Sequence, residues 1–113
     1  MLSRSIFFFK LRKKKDFLRV LQDKRRFIGS FLLVDIHIEP QLAPSFAVIV
    51  SSRYGNAVKR NRFKRMAREA FRLQLMHIPK SASVIIYPRQ QAKTALYKQI
   101  QQELVELVNR VKA

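Results

Sequence analysis

The chain has 113 residues, enough for one hydrophobic core and too few for two, and 48% of them are apolar, so a single folded domain is expected rather than a disordered tail. Lys and Arg outnumber Asp and Glu by 24 to 7, a formal charge of +17, and a potential of that sign on so small a body selects nucleic acid phosphates or anionic membrane surfaces as partners. The absence of cysteine excludes disulfides, thiolate nucleophiles and cysteine-based zinc sites, and the two histidines, His37 and His77, are too few for a histidine-rich metal site.

Residues 1–15 pass from apolar to basic without a clear period and read as an extended or mobile arm, residues 1–12 as its basic part. The apolar run Ile6 to Phe9 is too short for a signal core, and its basic residues follow it rather than precede it. No run approaches the roughly 18 apolar residues of a spanning helix, so a cytoplasmic protein is expected. From Lys15 to Asp23 the spacing of Phe17, Val20 and Leu21 is that of one face of a short helix.

Within Phe27 to Glu39, Val34, Ile36 and Ile38 alternate with Asp35, His37 and Glu39, which predicts a strand with one buried and one wet face. Pro40 and Pro44 bracket a turn, SFAVIVSS resumes as a second strand, and the two are expected to pair antiparallel. Asn56 stands where a helix N-cap belongs, and no Pro or Gly interrupts Ala57 to Ile78, so a long helix follows. ASVIIYP reads as a third strand ended by Pro88. A last helix from about Ala95 to Val111 presents Leu96, Ile100, Leu104, Leu107, Val108 and Val111 to the core. The expected fold is thus α+β, a small sandwich of a mixed sheet and helices in the order α-β-β-α-β-α, forming one domain over residues 1–113.

The long helix carries the chemistry. Between Gly55 and Arg72 it has Lys59, Arg60, Arg62, Lys64, Arg65, Arg68 and Arg72 against the one acid Glu69. Projection at 100° per residue groups Phe63, Met66, Ala67, Ala70 and Phe71 on a core face. Arg60, Asn61, Lys64, Arg65, Arg68 and Arg72 are expected on the opposite, outer face. A merely solvated face mixes signs; here like charges four residues apart repel by a few tenths of a kcal/mol per pair, a cost that an anionic partner explains. Arginine's planar fork grips phosphate with two hydrogen bonds, and the Asn61 amide suits a 2'-hydroxyl or a base edge. An apolar arc without Trp argues against a membrane, and the lack of a helix-turn-helix pattern argues against duplex DNA. RNA is the expected partner.

Catalysis by the chain itself needs clustered carboxylates or a histidine pair. Asp16, Asp23, Asp35, Glu39, Glu69, Glu103 and Glu106 are scattered. His37 reads as an exposed strand residue and His77 as a helix C-terminal one, so no catalytic residue and no metal ligand is assigned.

The stretch SFAVIVSSRYGNAVKRNRFKRMAREAFR closely resembles the signature region of the bacterial ribonuclease P protein subunit. It joins a strand ending in Ser51-Ser52-Arg53, the Gly55-Asn56-Ala57-Val58 turn and cap, and the Arg60-Asn61-Arg62 core backed by Lys64 and Arg65. DFLRVL resembles the family's first helix and Phe27 to Ile38 its first hairpin, so the likeness spans about residues 10–110. It departs at Lys24, where many members carry Gly, and at Leu21, often an aromatic.

The resemblance implies a fold like domain 2 of ribosomal protein S5, with a left-handed β-α-β crossover. It implies a non-catalytic subunit of the endoribonuclease that trims 5' leaders from precursor tRNA, in which a large RNA is the catalyst. Carried over by position, Arg53, Asn56, Lys59, Arg60, Asn61, Arg62, Lys64, Arg65 and Arg68 would contact the catalytic RNA. Phe17, Leu21, Phe46, Val48 and Val50 would line a cleft for the single-stranded leader, with core packing as the other role open to Phe17. The protein would bind no cofactor, Mg²⁺ belonging to the RNA, and its partners would be that RNA and precursor tRNA, with neither DNA nor membrane. The rival reading is a structural RNA-binding protein or RNA chaperone, such as a ribosomal protein, because sheet-plus-helix domains of this kind serve both.

Overall fold

The computed structural model describes residues 9–10, 24–38, 45–73 and 82–112. A mixed sheet of five strands runs in the order β1-β4-β5-β3-β2, with β1 at Phe9–Lys10, β2 at Arg25–Ile28, β3 at Leu32–Ile38, β4 at Ser45–Val48 and β5 at Ala82–Pro88. Among the described residues two α-helices, α1 at Ala57–Leu73 and α2 at Tyr97–Asn109, join the sheet in an α+β architecture. The expected short helix over residues 15–23, the end of the long helix after Leu73, Glu39 and His77 lie outside the described residues. Among those residues no helix is long and apolar enough to cross a membrane.

β5 organises the sheet. Its residues Ala82 to Ile86 are all buried, so it reads as an unbroken apolar run rather than an alternating one, as a strand covered on both faces does. It pairs antiparallel with β3 and parallel with β4. The two strands expected to pair with each other are therefore separated by a third. Only the short turn between them suggested a hairpin, whereas the apolar content of β5 demands the central place. The hairpin is instead β2–β3, with Arg25 opposite Ile36 and Ile28 opposite Leu33. Phe9 and Lys10 pair parallel with Ser45 and Phe46, so these two residues of the expected arm are an edge strand of the sheet.

One sheet face, made of Leu32, Val34, Ile36, Phe46, Val84 and Ile86, packs under the helices against Phe63, Ala67, Ala70 and Phe71 of α1 and Ile100, Leu104, Leu107 and Val108 of α2. Each of the larger of these side chains contributes about 1.5–3 kcal/mol on burial. Phe46 and Phe71 stack at 4.6 Å with their planes 20° apart, locking α1 across β4. Leu96, expected on the buried face of the last helix, is 69% exposed, because α2 begins one residue after it and Leu96 is its N-cap.

The β2–β3 turn is held from both sides. Glu103 of α2 accepts hydrogen bonds from the amides of Ser30, Phe31 and Leu32 at 2.8, 2.7 and 2.6 Å, and Arg89 donates to the Gly29 carbonyl at 2.7 Å. Gly29 is required by contact: a Cβ there would collide with the Glu103 carboxylate. Glu103→Ala is expected to destabilise the protein by about 2–3 kcal/mol, the cost of leaving such amides unmet, and Gly29→Ala by about 1–3 kcal/mol through the clash. Because both act on one carboxylate, urea denaturation of the double variant should show much less than the sum; additive losses would mean that the contact does not hold the turn.

Candidate RNA interface

The interface begins where β4 ends. A short 3-10 turn, Ser52–Tyr54, drops the Tyr54 ring into the core, 4% exposed, tilted against Phe63 at a centroid distance of 5.9 Å. Lys93, from the segment before α2, lies 5.4 Å above the same ring, a cation–π contact. Burial pushes the Tyr54 phenol above its usual pKa, against the opposing pull of the Arg62 charge. With Tyr54 fixed, Arg53 beside it is left exposed.

Asn56 caps α1 as its sequence position suggests, its Oδ1 accepting from the Lys59 amide at 3.0 Å. The Gly55 backbone runs so close to Lys59 that a Cβ would meet that side chain at 3.0 Å. No acid stands in the first turn of α1, so the positive end of the helix dipole is left uncompensated beside Lys59 and Arg60. That arrangement disfavours the free helix and favours a bound anion.

Two of the arginines are anchored to backbone carbonyls. Arg60, expected on the outer face, is half-buried and donates from Nη1 to the Gly55 carbonyl at 2.6 Å. It stands three residues before Phe63 and seven before Ala67, which sets it on the core flank of the helix. Arg62 donates from Nη2 to the carbonyl of Ala95 at 3.1 Å, reaching the segment that starts α2. Each keeps further N–H donors for a ligand, at a guanidinium whose position is already set. Asn61, Arg65 and Arg68 are exposed and Lys64 is half-exposed. Arg72 is paired with Glu69 at 2.7 Å, which removes it from the pool of free cations. The basic surface is thus held in place at Arg60 and Arg62.

The ribonuclease P family model matches residues 8–112 of this sequence. The chain belongs to the ribonuclease P protein family. It is 31% identical over 103 residues to the ribonuclease P protein component of Alkaliphilus metalliredigens, covering 91% of this chain and 93% of that one. Its fold superposes on an RNase P protein mutant from Staphylococcus aureus with a TM-score of 0.82 at 28% identity, covering 98% of this chain and 92% of the other. It also superposes on the Thermotoga maritima RNase P protein at 0.80, where 24% identity shows the shared fold.

Of the residues expected to line a leader cleft, Phe17 and Leu21 lie outside the described residues. Phe46 is 3% exposed and its ring stacks on Phe71. Val48 shares that face and, with Val50, packs partly buried against the same core. Alternation along a strand puts Ala47 and Ile49 on the other side, and Ile49 is 40% exposed.

The second sheet face, expected wet, is also buried. Asp35 is 0% and His37 7% exposed, and Ser45 donates to Ser83 at 2.9 Å beside them. Asp35 is paired with Arg26, which donates from Nε at 2.7 Å and from Nη2 at 2.9 Å, and it accepts from the Tyr87 hydroxyl at 2.8 Å. Lys24 lies 3.9 Å away. Burial pushes the Asp35 carboxyl up, but Arg26, Tyr87 and Lys24 together outweigh it and hold it below its usual value. Burial and the Asp35 charge push Tyr87 up to about 12. This carboxylate is structural. Sequence reasoning missed the network because a polar residue alternating with apolar ones looks solvent-facing, and neither Arg26 nor Tyr87 is a sequence neighbour. The contacts of Arg62 with Ala95 and Lys93 with Tyr54 join residues more than 30 apart and left no local signal, whereas the core-side place of Arg60 was legible in its spacing from Phe63.

Two outcomes follow for stability. Asp35→Asn should cost about 2 kcal/mol at pH 7. A carboxyl whose folded pKa lies below its unfolded one stabilises above the unfolded value, about 3.9, and loses that contribution as pH falls through the folded one. Urea unfolding should therefore show the gap between wild type and variant closing below about pH 4; a gap of constant size would remove the ion pair as its cause. Arg62→Ala should lose about 1 kcal/mol with the Ala95 bond, while exposed Arg65→Ala stays within about 0.5 kcal/mol of wild type, both read by the same denaturation.

Proposed function

We propose that this chain is the protein subunit that joins the catalytic RNA of ribonuclease P and, by binding the RNA and the 5' leader of precursor tRNA, promotes maturation of tRNA 5' ends. The observation that carries the reading is the basic surface of α1, whose two flanks hold Arg60 and Arg62 pre-positioned by backbone carbonyls within a segment, residues 45–68, that contains no acid. Such a surface offers two pre-positioned phosphate grips at little ordering cost.

The protein acts by binding, and the reaction centre with its Mg²⁺ belongs to the RNA. The RNA and its substrate repel each other as polyanions. A cationic body between them lowers that repulsion and strengthens the site's hold on Mg²⁺ at low salt. For the leader, the proposal rests on Phe17 and Leu21 together with the Ala47 and Ile49 side of β4, since Phe46 serves the core. The compartment that fits these partners is the cytoplasm.

Cleavage of a leader-bearing precursor tRNA by a bacterial ribonuclease P RNA at low Mg²⁺ tests the reading. Rescue is expected only when protein and RNA are both present. Binding without rescue would favour a structural RNA-binding protein, and cleavage by the protein alone would place the chemistry in the chain. If about six phosphates are neutralised, log affinity should fall with log salt at a slope of roughly −4 to −5; a slope near zero in a salt titration would remove the phosphate grip.

A further inference from the structure

The basic surface does not end with α1. Arg62 reaches the Ala95 carbonyl and Lys93 lies over Tyr54, so the segment before α2 is continuous with the α1 face. Residues 82–102 contain no acid, as residues 45–68 contain none, and Lys98 stands exposed in the first turn of α2. Where charges serve only solubility the signs are interspersed; here the fold brings two acid-free stretches together, and the one acid beside them, Glu69, which acts on Tyr97, is paired with Arg72.

Two apolar side chains stand in this surface. Val58 is 75% and Leu96 69% exposed. Val58 is one turn before Arg62 on the same flank of α1, and Leu96 follows the carbonyl that Arg62 holds. A single exposed Leu needs no explanation, but Leu96 occupies the N-cap of α2, where Ser, Thr, Asp or Asn would stabilise the helix. Gln99 reaches back to the Leu96 amide at 2.8 Å, yet Leu has no oxygen to return to the first-turn amides. Val58 is likewise a β-branched residue on the solvent side of a helix, where straight-chain residues are favoured. Both positions give up local stability, which is the mark of a site kept for contact.

We infer that the RNA interface extends from α1 onto the start of α2, where Leu96 and Val58 meet the base or ribose face of an unpaired nucleotide of the catalytic RNA while Arg62, Lys93 and Lys98 hold its flanking phosphates. The inference rests on the RNA-subunit reading above. Unpaired nucleotides are the parts of a folded RNA that offer an apolar face beside phosphate, since paired bases are stacked and closed to side chains. Charge complementarity selects RNA over a second copy of this chain, which at +17 repels itself.

Binding of a bacterial ribonuclease P RNA, measured across salt for wild type, Leu96→Ser, Lys93→Ala/Lys98→Ala and Arg65→Ala, tests this. Leu96→Ser supplies the missing cap and should raise the melting temperature by roughly 2–6 °C while weakening RNA binding about three- to tenfold with the salt slope unchanged. The lysine pair should weaken binding by about tenfold and flatten the slope by roughly 1.4–1.8. If both bind like wild type while Arg65→Ala is weakened, the interface stops at α1 and the extension is overturned with the subunit reading intact. If the wild-type protein fails to bind the RNA, it is the subunit reading that fails. Should Leu96→Ser leave RNA affinity unchanged but abolish a dimer seen by light scattering, the occupant is a second copy and the inference is wrong.

Discussion

The burial of β5 on both faces is the constraint on which the rest of this molecule depends. A strand with five consecutive buried residues has to be central, and with β3 antiparallel on one side and β4 parallel on the other it separates strands that are close in sequence. A parallel β4–β5 pair cannot be joined by a tight turn; the chain has to cross over the sheet between them, and α1 lies in that crossover. The stacking of Phe46 on Phe71 then fixes which side of α1 faces inward. The direction in which the arginines point follows from the packing of the central strand.

Electrostatics works against that packing and is contained locally. α1 begins with no acid to balance its dipole and carries like charges one turn apart, so its stability comes from the buried stripe Phe63, Ala67, Ala70 and Phe71 rather than from its surface. The carbonyls of Gly55 and Ala95 take up part of the strain by accepting from Arg60 and Arg62. A guanidinium held in this way loses less freedom on meeting a phosphate than one swinging from a free side chain. The same bonds that steady the free protein prepare it for an anionic partner, which is how a domain of high charge can be both folded and ready to bind.

The opposite sheet face shows the other way to keep charge in a small protein. Asp35 is buried but saturated, with Arg26 and Tyr87 supplying its partners, and its lowered pKa reflects partners that outweigh desolvation. Glu103, likewise, is spent on three backbone amides. Of the acids among the described residues, Asp35, Glu69 and Glu103 are engaged with partners inside the protein, and the one acid on α1, Glu69, is paired with Arg72, so that residues 45–68 and 82–102 carry none. The negative charges hold the scaffold together, and much of the positive charge faces outward.

Element types were legible in the sequence because they follow from local alternation and period: the β5 run, the Asn56 cap, the amphipathic α1 and the basic motif that marks the family. The strand order was not legible, since pairing joins residues far apart and a short turn between β3 and β4 suggested a hairpin that the buried central strand forbids. Nor was the burial of Asp35 and His37, because a period of two reports that faces differ, not that one is wet. The outer place expected of Arg60 gave way to the core flank that its spacing from Phe63 allows, but only the tertiary structure brought Arg62 to Ala95 and Lys93 to Tyr54, contacts across more than 30 residues for which one-dimensional pattern carries no signal. The sequence by itself determined that this chain carries a basic helical face; the fold decided which of its cations are held in place, because anchoring needs a carbonyl or a ring from elsewhere in the chain.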